Sequence, residues 1–238
     1  MGMEANAIYR HITLSSGEEI FLSSNPFAEC KDLFDSFFGI YERSIEPSEQ
    51  QSKHELKKCF STGSHLFSVL VSSGNVLSGS IYWLDRKTKL ALLAYMATDN
   101  RVRSRGYGGK LLSQTTVSMM NEFGIEEFII EVDSVNEKNS PDLGIRVLRQ
   151  HFYEKHGARK ILGFNYECPI AHDGYKPEME LQIISKAPSA SIQTSKLKSW
   201  VEQIYIGAYG LDKFDSRIVS MFKDSPSKYP LPNNVDGM

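Results

Sequence analysis

The sequence predicts an α/β fold. Stretches of clear helical periodicity alternate with short apolar runs, three of those runs follow one another with turn-like breaks, and helical spacing returns beyond a Ser/Ala-rich stretch as a C-terminal extension. Of the 238 residues, 41% are hydrophobic, enough for a substantial core. Lys plus Arg number 27 against 29 Asp plus Glu, a formal charge of −2 that offers no bulk attraction to nucleic acid or an acidic membrane. Any anion site in such a chain must be local.

The elements follow in order. "AIYRHITLSSGEEIFLSS" alternates apolar and polar residues around Ser15, Ser16 and Gly17, which predicts a strand, a turn and a second strand. Leu33, Phe34, Phe37, Phe38 and Tyr41 recur at helical spacing between Ala28 and Tyr41, and a more polar helix follows Pro47, from Ser48 to Phe60. Residues 65–98 hold three strand-like runs broken at 72–75 and 85–89, an antiparallel meander. Leu112, Thr116, Met119, Met120 and Phe123 then mark one face of a helix from Gly109 to Phe123, closed by Gly124.

"EEFIIEV" reads as a strand. A helix from Leu143 to His156, carrying Ile145, Leu148, Phe152 and Tyr153, ends at Gly157. Two strands are expected next, Arg159 to Tyr166 and Glu178 to Ile184, around a polar turn containing His172, Asp173, Gly174 and Pro177. "SKAPSASIQTS" reads as a linker, and Leu197 to about Phe222 as helical with Trp200, Ile204, Tyr205 and Leu211 on its apolar stripe, before a Pro-rich tail with little to order it alone. Packing of that stripe against the main domain is its simplest use.

Three widely spaced cysteines, Cys30, Cys59 and Cys168, form no Cys-x-x-Cys pair and read as reduced thiols. The six histidines make no metal set, since His151 and His156 are not stacked on a helix face and the others are isolated. No run reaches the roughly 18 apolar residues of a membrane span, and the first residues lack the pattern of a secretory signal, so the expectation is a cytoplasmic protein.

Chemistry concentrates at "RVRSRGYGGKLL", Arg101 to Leu112, where a strand, a glycine-rich turn and a helix come in succession. Such an order puts free backbone N–H groups and the positive end of a helix dipole at one point, where a phosphate binds well. Gly106, Gly108 and Gly109 remove β-carbons from the approach, and Arg101, Arg103, Arg105 and Lys110 add positive charge. Two phosphate sites are excluded by spacing. Leu111 follows Gly109-Lys110 where a Walker loop needs Ser or Thr, and the same Leu111 stands where a dinucleotide fingerprint needs its third glycine.

The six residues Arg103-Ser104-Arg105-Gly106-Tyr107-Gly108 resemble the Arg/Gln-x-x-Gly-x-Gly/Ala signature of the GNAT superfamily of acetyl-CoA-dependent N-acetyltransferases. That family's element order matches the reading from Ile8 to Ile184, about three quarters of the chain. "HFYEKHGARKI" is similar to the family's Tyr-x-x-x-Gly-Phe segment, with Tyr153 and Gly157 in place and Ala158 where Phe is usual. Arg146 stands where many members carry a cofactor-contacting Asn, a role that Asn136 or Asn139 could take.

The resemblance implies a GNAT-type mixed, mostly antiparallel central sheet flanked by helices, in residues 1–186, with residues 187–238 as linker, C-terminal helical extension and flexible tail. It implies that Met96, Ala97 and Thr98 bind the pantetheine of acetyl-CoA through the main chain, and that Arg103, Ser104, Arg105, Gly106, Tyr107, Gly108 and Gly109 hold its pyrophosphate. It also implies that Tyr153 protonates the departing sulfur, with the Thr98 N–H as oxyanion donor. Acyl transfer to an amine further needs a base, because an ammonium has no lone pair. Glu131, Asp133 and Tyr95 are the candidates, with Glu131 favoured.

Aromatics such as Phe37 and Tyr41 mixed with Glu42 and Glu46 on the expected acceptor side suit a cationic primary amine, with a small molecule preferred over a lysine or peptide N-terminus. A cofactor-binding sensor without turnover is the alternative from another class. The partners are then acetyl-CoA and an amine acceptor, without nucleic acid or membrane, and a homodimer is compatible with the C-terminal stripe.

Overall fold

The computed structural model describes residues 8–136, 138, 140–169 and 178–232. Asn139 and the turn residues His172, Asp173, Gly174 and Pro177 lie outside them. The chain has a mixed α/β fold with mostly antiparallel strands flanked by helices, and it divides into two compact units: residues 1–84 with 93–123, and residues 85–92 with 124–238.

In the first unit the strands β1 (Tyr9–Thr13), β2 (Glu19–Ser23), β3 (His65–Ser72), β4 (Asn75–Asp85) and β5 (Leu90–Thr98) follow in that spatial order. β1–β2, β2–β3 and β3–β4 are antiparallel, as alternating sequences joined by short turns require. The β5 end Leu90–Leu92 belongs to the second unit. The expected first helix is two, the short α1 (Pro26–Glu29) and α2 (Lys31–Ser44), meeting at Cys30. A 3-10 turn (Pro47–Glu49) leads to α3 (Lys53–Ser61), whose start is fixed by a capping box between Ser52 and Glu55.

α2 lays Phe34, Phe37, Ile40 and Tyr41 into an aromatic core with Phe60 and Phe67. Phe37 packs so closely on β4 that a β-carbon at Gly79 would lie 2.3 Å from its ring. α4 (Tyr107–Glu122) buries Leu111, Leu112, Thr115, Thr116 and Met119, and is pinned to β3 by a buried Ser68–Thr115 hydroxyl pair at 2.6 Å. Gly124, just beyond it, has the expected left-handed φ of 71°.

In the second unit β6 (Glu127–Asp133) and β8 (Met179–Ser185) pair antiparallel, Glu131 opposite Leu181 and Val132 opposite Glu180. α5 (Leu143–Lys155) ends at Gly157, with φ of 93°. β7 is only Arg159–Lys160, followed by an isolated bridge from Tyr166 to Met179, so the eight-residue strand expected here is cut short. The cause is local and distant at once. Gly163 turns the chain with φ of 77°, and the Leu162 N–H leaves the sheet to donate to Pro230 O.

The stretch read as a linker contains β9 (Ser191–Gln193), paired with β10 (Lys228–Pro230) from the Pro-rich tail. Tyr229 and Leu231 are buried, so the tail is ordered through residue 231 by a partner some 35 positions earlier. The helical stretch expected from 197 to 222 is α6 (Thr194–Gln203), a π-helical turn (Ile204–Ala208) and α7 (Ser216–Phe222), interrupted at Gly210 with φ of 67°. Of its apolar stripe, Trp200, Ile204 and Tyr205 are buried and Leu211 is half-buried.

No helix among the described residues is long and apolar enough to cross a membrane. Among the same residues no cluster of three His, Cys, Asp or Glu could hold a metal ion, and none of the three cysteines forms a disulfide.

Candidate functional site

The glycine turn opens α4. Ser104 and Gly106 take left-handed φ values of 62° and 84°, and Gly106 is the N-cap, so glycine is required there by conformation. The first intrahelical bond runs from the Lys110 N–H to Gly106 O, leaving the amides of Tyr107, Gly108 and Gly109 ahead of the helix's own ladder. A β-carbon built on Gly106 would meet no protein atom within 4 Å. The position beside Gly106 is therefore open, and amides ahead of a helical ladder, with the helix dipole, favour an anion at such an end.

The four cations of the turn are not equivalent. Arg101 forms a bidentate pair with the buried Asp99, at 3.0 and 2.7 Å, which holds that carboxyl at about 2. Lys110 binds Glu18 at 2.5 Å, and that hydrogen bond, with one from Ser16, lowers Glu18 to about 2. Both charges are therefore largely spent within the protein. Arg103 reaches Thr98 O and the Ser44 hydroxyl, each at 3.3 Å, and Arg105 is exposed and has no ion pair among the described residues. Of the four expected to attract a polyanion, Arg103 and Arg105 remain available.

Met96, Ala97 and Thr98 end β5, directly before this turn. Ala97 is buried with its carbonyl accepting from Ser78 Oγ at 3.1 Å, and Thr98 Oγ1 lies 2.9 Å from the same hydroxyl. Beside them Asp99, Arg101, Val102 and Tyr107 line a cleft of about 380 Å³ together with Ser72, Asn75, Val76 and Leu77 at the β3–β4 turn. Phe37 and Tyr41, expected near the acceptor, are instead fully packed core residues, 1% and 0% exposed. Helical spacing alone places them equally well in either role, and the burial decides for the core.

Tyr95 is removed as a base by its surroundings. Its hydroxyl donates to Glu49 O at 3.0 Å, its ring packs edge-on against Tyr41, and burial raises its pKa far above the ordinary phenol. Asp133, in the second unit, is ion-paired with Arg149. Arg146 is equally committed: it binds both Asp142 oxygens at 3.0 Å and the Ser134 carbonyl at 3.4 Å. Asn136 is exposed, with its own N–H held by Ser134 Oγ.

Glu131 stands differently. One carboxylate oxygen accepts from Tyr166 Oη, and the other accepts from Tyr209 Oη at 2.5 Å. Burial raises its pKa while the two phenols oppose the rise. Tyr153 lies near the end of α5, its phenol raised to about 12 mainly by burial, and its hydroxyl has no hydrogen-bond partner among the described residues. A phenol at that value is fully protonated at neutral pH. Gln150 of α5 bonds Glu180 at 3.0 Å, Glu180 pairs with Val132, and Arg149 of the same helix pairs with Asp133, so α5 lies against the end of β6.

Tyr166 and Tyr209 are the residues that sequence reasoning missed. They lie 35 and 78 positions from Glu131, and no periodicity links a strand to a phenol that far away.

No protein-family model and no curated protein matches this sequence. Among solved structures, the chain is similar to a protein assigned to the GNAT acetyltransferases from Bacteroides thetaiotaomicron, with a TM-score of 0.59 and 16% identity over 86% of this chain and 99% of that one. It is also similar to the ribosomal-protein-S18-alanine N-acetyltransferase of Escherichia coli, at 0.50 and 15%, over 76% and 96% of the two chains. A chimeric spermidine N-acetyltransferase from Vibrio cholerae gives 0.50 and 13%, over 76% and 95%.

Proposed function

We propose, from a chain that has the fold of the GNAT N-acetyltransferases, that it transfers an acetyl group from acetyl-CoA to the primary amine of a small cationic molecule. The observation that carries the reading is the opening of α4: Gly106 in a left-handed conformation, three amides ahead of the helical ladder, and open space where a β-carbon would stand. Backbone donors of this kind suit the diphosphate of coenzyme A, with Arg103 and Arg105 adding charge and Ser104, Tyr107, Gly108 and Gly109 completing the turn. Met96, Ala97 and Thr98 are proposed to pair with the pantetheine arm.

Acetyl-CoA, when bound, supplies a thioester whose carbonyl accepts the amine. The residues of this chain then have three tasks. Glu131 takes the proton that the amine must lose, and its environment suits the task, since burial makes the carboxylate a stronger base. The Thr98 N–H is the proposed donor to the developing oxyanion. Tyr153, protonated at neutral pH, gives its proton to the departing sulfur as the carbon–sulfur bond breaks. An anionic Glu131 also favours a cationic acceptor. Of the similar structures, one is a ribosomal-protein N-acetyltransferase and one a spermidine N-acetyltransferase, so both acceptor classes belong in the test.

A thermal-shift comparison of acetyl-CoA with ATP and NAD tests the cofactor. Selective stabilisation by acetyl-CoA is expected, because a ligand that binds only the folded state raises its stability. Thiol release with a panel of small amines and peptides then tests the reaction. Binding without release for any amine would identify a sensor instead of an enzyme, and release with peptides alone would move the acceptor to proteins.

A further inference from the structure

We propose that Tyr209 is a positioning residue for the acid–base chemistry: with Tyr166 it holds the Glu131 carboxylate in one orientation between two phenol donors, so that the C-terminal extension completes the base. The inference rests on the reading of Glu131 as the base and goes beyond it, by naming what sets that base.

Both carboxylate oxygens are engaged. Each carboxylate oxygen accepts one phenol, from Tyr166 and from Tyr209, so rotation of the carboxylate would break both bonds. Tyr209 is placed by the π-helical turn, where its own N–H reaches back five residues to Ile204 O at 3.1 Å. The segment carrying Tyr166 is tied to the same extension at three further points. Tyr205 Oη donates to Glu167 O, the Glu167 N–H approaches Met221 Sδ at 3.2 Å, and Arg217 donates to Pro169 O at 3.0 Å. Both phenols are thus held by one strap.

The titratable groups facing Glu131 are these two tyrosines, with Cys168 in hydrogen-bond reach of Tyr209 behind them. Leu181 stands opposite on β8, and Asp133, next on the same face of β6, is neutralised by Arg149. Both phenols are raised well above their ordinary values, chiefly by burial, so they remain donors across the working pH range. An O–H donor favours the ionised carboxylate. Removing one donor therefore moves the Glu131 titration upward and leaves less base at neutral pH.

The test uses the full chain. Tyr209→Phe is expected to shift the acid limb of the kcat/KM profile upward by about one pH unit, with the loss recovered as pH rises. Tyr166→Phe removes the other donor and should move the same limb in the same direction. A merely structural role would lower activity equally at all pH values, and profiles that superimpose on the wild type after scaling would overturn the proposal. Isotope-edited infrared titration of the Glu131 carboxyl, identified by its loss in Glu131→Gln, gives a readout without turnover. An upward-shifted midpoint in Tyr209→Phe supports the coupling and an unchanged midpoint sinks it. Full turnover by Glu131→Gln would instead remove the base reading, a result separate from the infrared one.

Discussion

The glycine turn and the Glu131 cluster are built by opposite means. The turn uses main chain: amides ahead of a helical ladder, a left-handed glycine, and open space where a β-carbon would stand. The cluster uses side chains almost alone, a carboxylate held between two phenols from distant parts of the second unit. A main-chain site tolerates exchange of its side chains as long as the backbone path survives. A side-chain site has no such reserve, since each donor is a single atom on a single residue. Damage to the first should therefore appear in cofactor affinity, and damage to the second in turnover.

Four experiments press on that contrast. Glu131→Gln removes the proposed proton acceptor and should lower kcat/KM by about 10²- to 10⁴-fold, while the thermal shift with acetyl-CoA stays as in the wild type. A loss of the thermal shift in this variant would blur the division between the two regions. Tyr153→Phe should cost about 10²-fold in turnover, again with cofactor affinity nearly unchanged; equal turnover would take Tyr153 out of the mechanism.

The main-chain side is tested by paired substitutions at the two ends of one helix. Gly106→Ala and Gly124→Ala both force a β-carbon into a left-handed residue, at φ of 84° and 71°, and neither β-carbon meets a protein atom within 4 Å. Each should lose about 1–2 kcal/mol of stability. Only Gly106→Ala should also weaken acetyl-CoA, by about tenfold, read by calorimetry. Equal cofactor affinity in the two variants would mean that the helix opening is not the binding surface.

The smallest effect concerns the ion pair beside the turn. Glu18 is lowered in the folded state from an ordinary 4.5 to about 2, chiefly by Lys110. The sign follows from linkage: the unfolded chain binds this proton first, so the pair's contribution is complete above about pH 4.5 and is lost as pH falls toward about 2. Glu18→Gln should flatten the acid side of the stability curve in that window and lower its level above about pH 4.5. An unchanged acid side would show that Lys110 is not held by Glu18 in solution, which would return a third cation to the turn.

The same contrast explains what the sequence reveals. The turn is legible because its parts are consecutive: Thr98 to Gly109 carry strand end, glycine and helix start in one line, and periodicity alone places α4 behind them. The helices α2, α3 and α5 and the β3–β5 meander are legible for the same reason. What fails is non-local. β9 finds its partner β10 from the far end of the chain, and Leu162 donates to Pro230 instead of extending β7. Tyr166 and Tyr209 belong with these, since only the folded chain brings them to Glu131.

The wide turn at Ile204–Ala208 carries one residue more than a regular helix would use. Deleting Gly207 would let the coil close at its usual spacing and swing every later side chain by about 100° around the axis. The phenol at 209 would then face elsewhere although no atom of the carboxylate had been touched. A single inserted peptide unit thus sets which way a phenol faces toward a carboxylate 78 positions away, and lengthening or shortening of this coil would reset it.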